Sequence, residues 1–186
     1  MHVLSARSLA PSGENGGAHS YEILRGGAAI GGMEFRTRDS GRIILDRDLC
    51  RIEIPSNQEE RNACHAAIDF ATGGKVEPAP PGRAPLLLFD SFDRLLAVGE
   101  HRHKSLHLHW AEHSCRFKNA SLFGLTSRWT LVSASDGVGR GWVGRRSISN
   151  DLFELESEIE MAEPVQAFAI WLAARLLSES RGTTRE

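Results

Sequence analysis

The chain has 186 residues, enough to bury one sizeable core and too few to demand two domains. Acidic and basic residues nearly balance, at a formal net charge of -2, which excludes a global field that would draw in nucleic acid. Cys50, Cys64 and Cys115 are widely spaced, odd in number and form no Cys-x-x-Cys pair, so plain thiols in a reduced cytoplasmic setting are expected.

In chain order, Met1 to Gly17 carry one basic residue, Arg7, and no apolar run of signal-peptide length. Residues 1–19 therefore read as a flexible leader. Tyr21 to Leu24, Arg25-Gly26-Gly27 and Ala28 to Arg36 read as strand, tight turn, strand, because glycine supplies the positive φ of a short hairpin loop. After a turn at Arg38-Asp39-Ser40-Gly41, Ile52 and Ile54 alternate with Arg51 and Glu53, the period of a half-buried strand.

Pro55 ends that run. Residues 56–83 are the least strand-like: one or two helical turns fit NQEERNACHAAIDFATGG, followed by a Pro-rich connection with Pro80 and Pro81. This stretch reads as a surface excursion from a β-barrel. Strands resume at Leu86. Leu106, Leu108 and Trp110 alternate with His107 and His109, and Trp129 and Leu131 alternate with Thr130 and Val132. Asp136-Gly137 marks another hairpin. From Phe153 to Met161, apolar residues alternate with Glu154, Glu156, Glu158 and Glu160.

The ending differs. Glu163-Pro164-Val165 opens a helix, with proline where a missing N–H does no harm. VQAFAIWLAARLL is then apolar nearly all round, broken only by Gln166 and Arg175, so most of its sides should be buried. Its roughly 13 residues fall short of the ~20 a membrane crossing needs. A helix wrapped by sheet satisfies both elements, with Phe168, Ile170, Trp171 and Leu172 as its central core residues. Residues 179–186 read as a flexible tail.

YEILRGGAAIGGMEFR near the start, RWTLVSASDGVGRGWVGRRS in the second half and EPVQAFAIWLAARLL at the end resemble the tubby C-terminal-like superfamily. That superfamily includes phospholipid scramblase-like and LURP-one-related proteins. The resemblance covers residues 20–178, with 56–83 fitting worst, and rests on the order of elements and on the terminal helix. It implies a closed antiparallel β-barrel of about twelve strands around a buried hydrophobic C-terminal helix. It leans toward binding of lipid or protein, since tubby proteins bind phosphoinositides through a basic patch.

Three groups of residues carry candidate chemistry. Arg116, Lys118, Arg128, Arg140, Arg145 and Arg146 share a stretch with Asp136 as the one acid, and would form an anion-binding face if adjacent strands gather them. Trp129 and Trp142 are expected to pack in the core. His101, His103, His107 and His109 share odd parity, with His113 following, and would point one way on a continuous strand. They are candidate ligands for zinc, iron or nickel, unless Lys104-Ser105 is a turn. Glu154 to Glu160 read as carboxylates that keep a solvated strand from unwanted pairing.

Gly139-Arg140-Gly141-Trp142-Val143-Gly144 has the letters of a dinucleotide fingerprint but sits in a hairpin, without the required helix. No nucleophile and base stand together. The first reading is therefore a non-enzymatic binding or scaffold domain, without cofactor, nucleic acid or transmembrane segment, which reads anionic phospholipid or a protein partner at the cytoplasmic side of a membrane. The alternative is a metal-dependent, cupin-like enzyme using the histidine group. The oligomeric state is left open.

Overall fold

The computed structural model describes residues 2–9, 20–46, 48–74, 84–102, 105–119, 128–147 and 152–182. Twelve strands follow the alternating segments of the sequence. The first five are β1 (His2–Ser8), β2 (Ser20–Arg25), β3 (Ala28–Thr37), β4 (Ser40–Leu45) and β5 (Asp48–Glu53). Helix α1 (Gln58–Thr72) precedes β6 (Leu86–Phe89), β7 (Leu95–Arg102), β8 (Ser105–Trp110) and β9 (His113–Asn119). Then come β10 (Arg128–Ser133), β11 (Gly139–Ser147), β12 (Leu152–Ser157) and helix α2 (Glu163–Gly182).

Each strand pairs antiparallel with its sequence neighbours, and β1 pairs with β12, closing the barrel. Closure leaves no sheet edge, so the glutamates of β12 have no pairing to prevent, contrary to expectation. β1 is the main correction to the sequence reading, which placed residues 2–8 in a leader. Leu4 and Ala6 are buried there while Val3 and Arg7 are exposed. Two inward apolar residues are a faint signal, and the strand owes its place to the open seam between β2 and β12.

The barrel is filled by α2. Phe168, Ile170 and Trp171 are fully buried and Leu172 is nearly so. Burying side chains of this size stabilises by about 1.5–3 kcal/mol each. The two polar residues of the apolar run each find a partner near an end: Gln166 Nε2 donates to the Met161 carbonyl at 2.7 Å, and Arg175 Nη2 to Asp39 Oδ1 at 2.5 Å. Glu163 pairs with Arg25 where the helix enters. Helical structure runs on through Gly182, into the segment expected as a tail.

α1 is longer than the one or two turns expected, because it has its own caps and its own small core. Asn57 Oδ1 accepts from the Glu60 amide at 2.8 Å, and Gly73 closes the helix in the left-handed region at φ 63°. Cys64 and Ile68 pack on Leu87, Phe89 and Val98, on the outside of the barrel. All three cysteines are free and buried.

Candidate functional site

A hairpin divides the histidines. His101 lies opposite Leu106, which belongs to the barrel core, so His101 shares the inward side of the sheet. His107 and His109 alternate with Leu106, Leu108 and Trp110, and therefore face outward beneath α1. His113 pairs with Trp110 across the next turn and returns to the inward side, its ring 5.5 Å from the indole. Odd parity fails because the register joins odd positions on β7 to even positions on β8. His103 lies outside the described residues. Among the described residues, no group of three His, Cys, Asp or Glu side chains is placed to hold a metal ion.

What His109 does join is a buried ion network that the sequence reading missed. Glu100 on β7 is 4% exposed and His109 on β8 is 1% exposed. Glu100 Oε1 lies 3.0 Å from His109 Nε2 and also accepts from Arg102 Nε. Burial alone would raise the Glu100 carboxyl, yet the hydrogen bonds from His109 and Arg102 hold it below its ordinary value. An ionised carboxylate only accepts, so the Nε2 of His109 carries the proton. Its Nδ1 is buried with no hydrogen-bond partner. His107, directly opposite Glu100, is pushed down to about 4, chiefly by burial and then by His109.

Cys64 comes down on this network from α1, close enough for the Glu100 charge to act on it. Burial, aided by that charge, pushes its thiol up to about 12. Nucleophilic cysteines need a lowered pKa, so this thiol is not activated. The network reads as a polar anchor for α1.

The six basic residues also separate. Arg116 and Lys118 are exposed on the outer wall of β9, opposite Val132 and Thr130 of β10, and Arg128 is exposed on β10. Arg146 is on the outer wall too, but pairs with Glu154 at 3.1 Å. Arg140 lies at the far end of the barrel, 2.5 Å from Asp136. Arg145 is buried, on the same inward parity as Val143. Arg116, Lys118 and Arg128 make no ion pair with an acid among the described residues.

Trp142 is not a core residue as expected. It stands on the outer wall, half-buried, with Arg128 stacked over its ring at 4.4 Å and its Nε1 donating to Glu156 Oε2 at 3.2 Å. Trp129 does pack against the core. Beside these residues a cavity of about 420 Å³ opens at the barrel end where α2 emerges. Leu106, Phe117, Trp129 and Leu176 supply its apolar lining, and Arg116 and Lys118 its charge. Sequence spacing could mark the two basic residues, but not Leu176, which the fold brings from 58 positions beyond Lys118.

The glycines of the fingerprint-like segment lie within β11, where Gly141 has backbone of Glu156 against it, and no helix follows. Among the described residues, no helix is long and apolar enough to cross a membrane. Compared with known proteins, the chain matches no family model, no curated protein and no solved structure.

Proposed function

We propose that the protein is a non-enzymatic binding domain whose β9–β10 wall receives an anionic phospholipid headgroup at the cytoplasmic surface of a membrane. One observation carries this reading: the cavity beside Arg116 and Lys118 joins a cationic rim to an apolar lining. A lipid phosphate meets the first and its glycerol and upper acyl carbons the second. Arg128 on Trp142 extends the same surface with a cation held over an indole, the kind of side chain that suits a membrane interface. A barrel threaded by an apolar C-terminal helix also supports membership of the tubby C-terminal-like superfamily.

Co-sedimentation with vesicles tests the proposal. Wild-type protein should bind phosphatidylcholine vesicles containing phosphatidylserine and leave pure phosphatidylcholine vesicles alone, and the R116E/K118E variant should lose that binding. Equal binding to both vesicle types, or full binding by the variant, would overturn the reading.

A further inference from the structure

The two ends of the barrel carry opposite charge. The strands run antiparallel in sequence order, so successive turns fall at alternate ends. The end where α2 enters holds the β4–β5, β6–β7, β8–β9 and β10–β11 turns and the segment that follows β12. Asp46, Asp48, Glu112, Asp136, Glu158 and Glu160 are exposed there. Arg25, Arg94 and Arg140 are described at the same end, and each pairs with an acid: Glu163, Asp90 and Asp136. Among the described residues, acid predominates at this end.

The end where α2 emerges has the other sign. Arg36 near the end of β3, Arg38 in the β3–β4 turn, Arg7 on β1, Arg146 on β11, Arg128 on β10 and Lys118 on β9 are all exposed there. In ring order they span the half of the barrel that runs from β3 through β1 and β12 to β9. The acids beside them are answered, Glu22 by Arg7, Glu154 by Arg146 and Asp39 by Arg175, which leaves positive charge in excess along the arc. β3 stands six strands from β9, which in a closed ring of twelve is the opposite side. α2 fills the space between, and a helix with its side chains is about 10–12 Å across. That exceeds the Debye length of about 8 Å at physiological salt. Arg36 and Arg38 therefore share one flat anionic surface with Lys118 only if the barrel stands on this end.

Resting on the headgroup reading above, we propose that the barrel docks upright on an anionic membrane surface. The end where α2 emerges faces the leaflet, with Arg36 and Arg38 against headgroups across the barrel from the cavity of Arg116 and Lys118. An anionic leaflet attracts this end and repels the acidic one, so the charge distribution sets the orientation as well as the attraction. The first turn of α1, with Glu59 and Glu60, follows β5 outside the basic arc, so the barrel tilts its β12 side toward the leaflet. Each basic residue near such a surface contributes about fivefold to partitioning.

Co-sedimentation of the full chain with phosphatidylcholine vesicles containing phosphatidylserine, at physiological salt, is the test. R36E/R38E should weaken binding at least tenfold, although both residues lie across the barrel from the cavity. E158K/E160K raises the net charge by as much as R36E/R38E lowers it, and should bind within twofold of the wild type. All four residues are exposed, so both variants should melt as the wild type does, which a thermal scan would verify. Should R36E/R38E melt early, R36Q/R38Q takes its place, with a severalfold loss expected. Full binding by the Arg36 and Arg38 variants, with loss in R116E/K118E, would overturn upright docking and leave the headgroup reading standing. A gain in E158K/E160K that mirrors the loss in R36E/R38E would reduce the effect to net charge and overturn it as well. No binding of the wild type to these vesicles would overturn both readings.

Discussion

Gly41 on β4 and the indole of Trp171 on α2 pack so closely that Gly41 has no room for a side chain. A methyl group on Gly41 would sit 2.8 Å from the indole Nε1 and 2.4 Å from the Glu34 carbonyl oxygen. Gly99 plays the same part on β7, three strands round the barrel, where a Cβ would meet both terminal methyls of Leu172 at 3.0 Å. The strand wall is thinned where the helix is thickest. Phe35 then stacks on Trp171 with ring centroids 4.6 Å apart. Gly41→Ala should destabilise the fold by roughly 1–3 kcal/mol, because overpacking forces side chains from their rotamers. Urea denaturation would show it, and a native midpoint in the variant would mean that α2 is seated elsewhere.

Ile170 is fully buried at the middle of α2. Ile170→Glu places an unpaired carboxylate in an apolar interior and should cost well over ~2 kcal/mol, or prevent folding. Circular dichroism and thermal melting check this directly. Retention of wild-type stability would refute the central-helix architecture.

The network beneath α1 predicts how stability responds to acid. His107 has its pKa lowered from 6.5 to about 4, so below pH 6.5 the unfolded chain takes up a proton that the folded protein refuses. Stability should therefore fall as pH drops from 6.5 toward 4, by on the order of 1–2 kcal/mol after allowance for solvent screening. Glu100, lowered from 4.5, adds stability that is present above pH 4.5 and lost below it. His107→Gln should flatten the slope between pH 6.5 and 4 in melting experiments. A variant with an unchanged slope would place the titration at another group.

Glu100→Gln is the harsher change, since it removes from a buried position the charge to which both His109 and Arg102 are bonded. Removal of one member of a buried ion pair typically costs about 3–5 kcal/mol. Hydrogen exchange should show α1 loosening before the barrel, because that helix packs over the network through a small cluster centred on Cys64, Ile68, Leu87, Phe89 and Val98, apart from the main core. Uniform loosening of all elements would contradict an anchoring role.

Thiol chemistry offers a simple check on packing. Burial pushes Cys50 up to about 11 and Cys64 and Cys115 up to about 12, so little thiolate exists near neutral pH. Ellman's reagent should react slowly or not at all with the native protein, and with all three thiols in denaturant. Fast reaction of one thiol in the native state would reveal an exposed site where the fold has a closed one.

Much of the architecture was legible because it follows from local periodicity. The all-round apolarity of residues 165–174 announced a buried helix, and its core residues Phe168 and Trp171 are where that pattern put them. β1 was not legible, since Leu4 and Ala6 alone give too short an alternation. The extent of α1 was hidden as well, because so few of its residues are apolar that only Cys64, Ile68 and Ala71 are buried.

The candidate sites were legible only in part. Arg116 and Lys118 stand two apart on one strand, so period-two alternation put them on the same face. Arg145 and Arg146 are adjacent, and a strand sends neighbours to opposite sides, which took Arg145 into the barrel.

By itself the sequence determined which segments alternate, which helix is too apolar for a surface, and which residues carry charge, since these properties are written within a few neighbouring positions. The tertiary structure decided what those residues meet. The register across the β7–β8 hairpin turned His101 inward and brought His109 to Glu100, and barrel closure joined β1 to β12 over most of the chain's length. Such pairings depend on hydrogen bonds between distant strands, whose register no local pattern encodes.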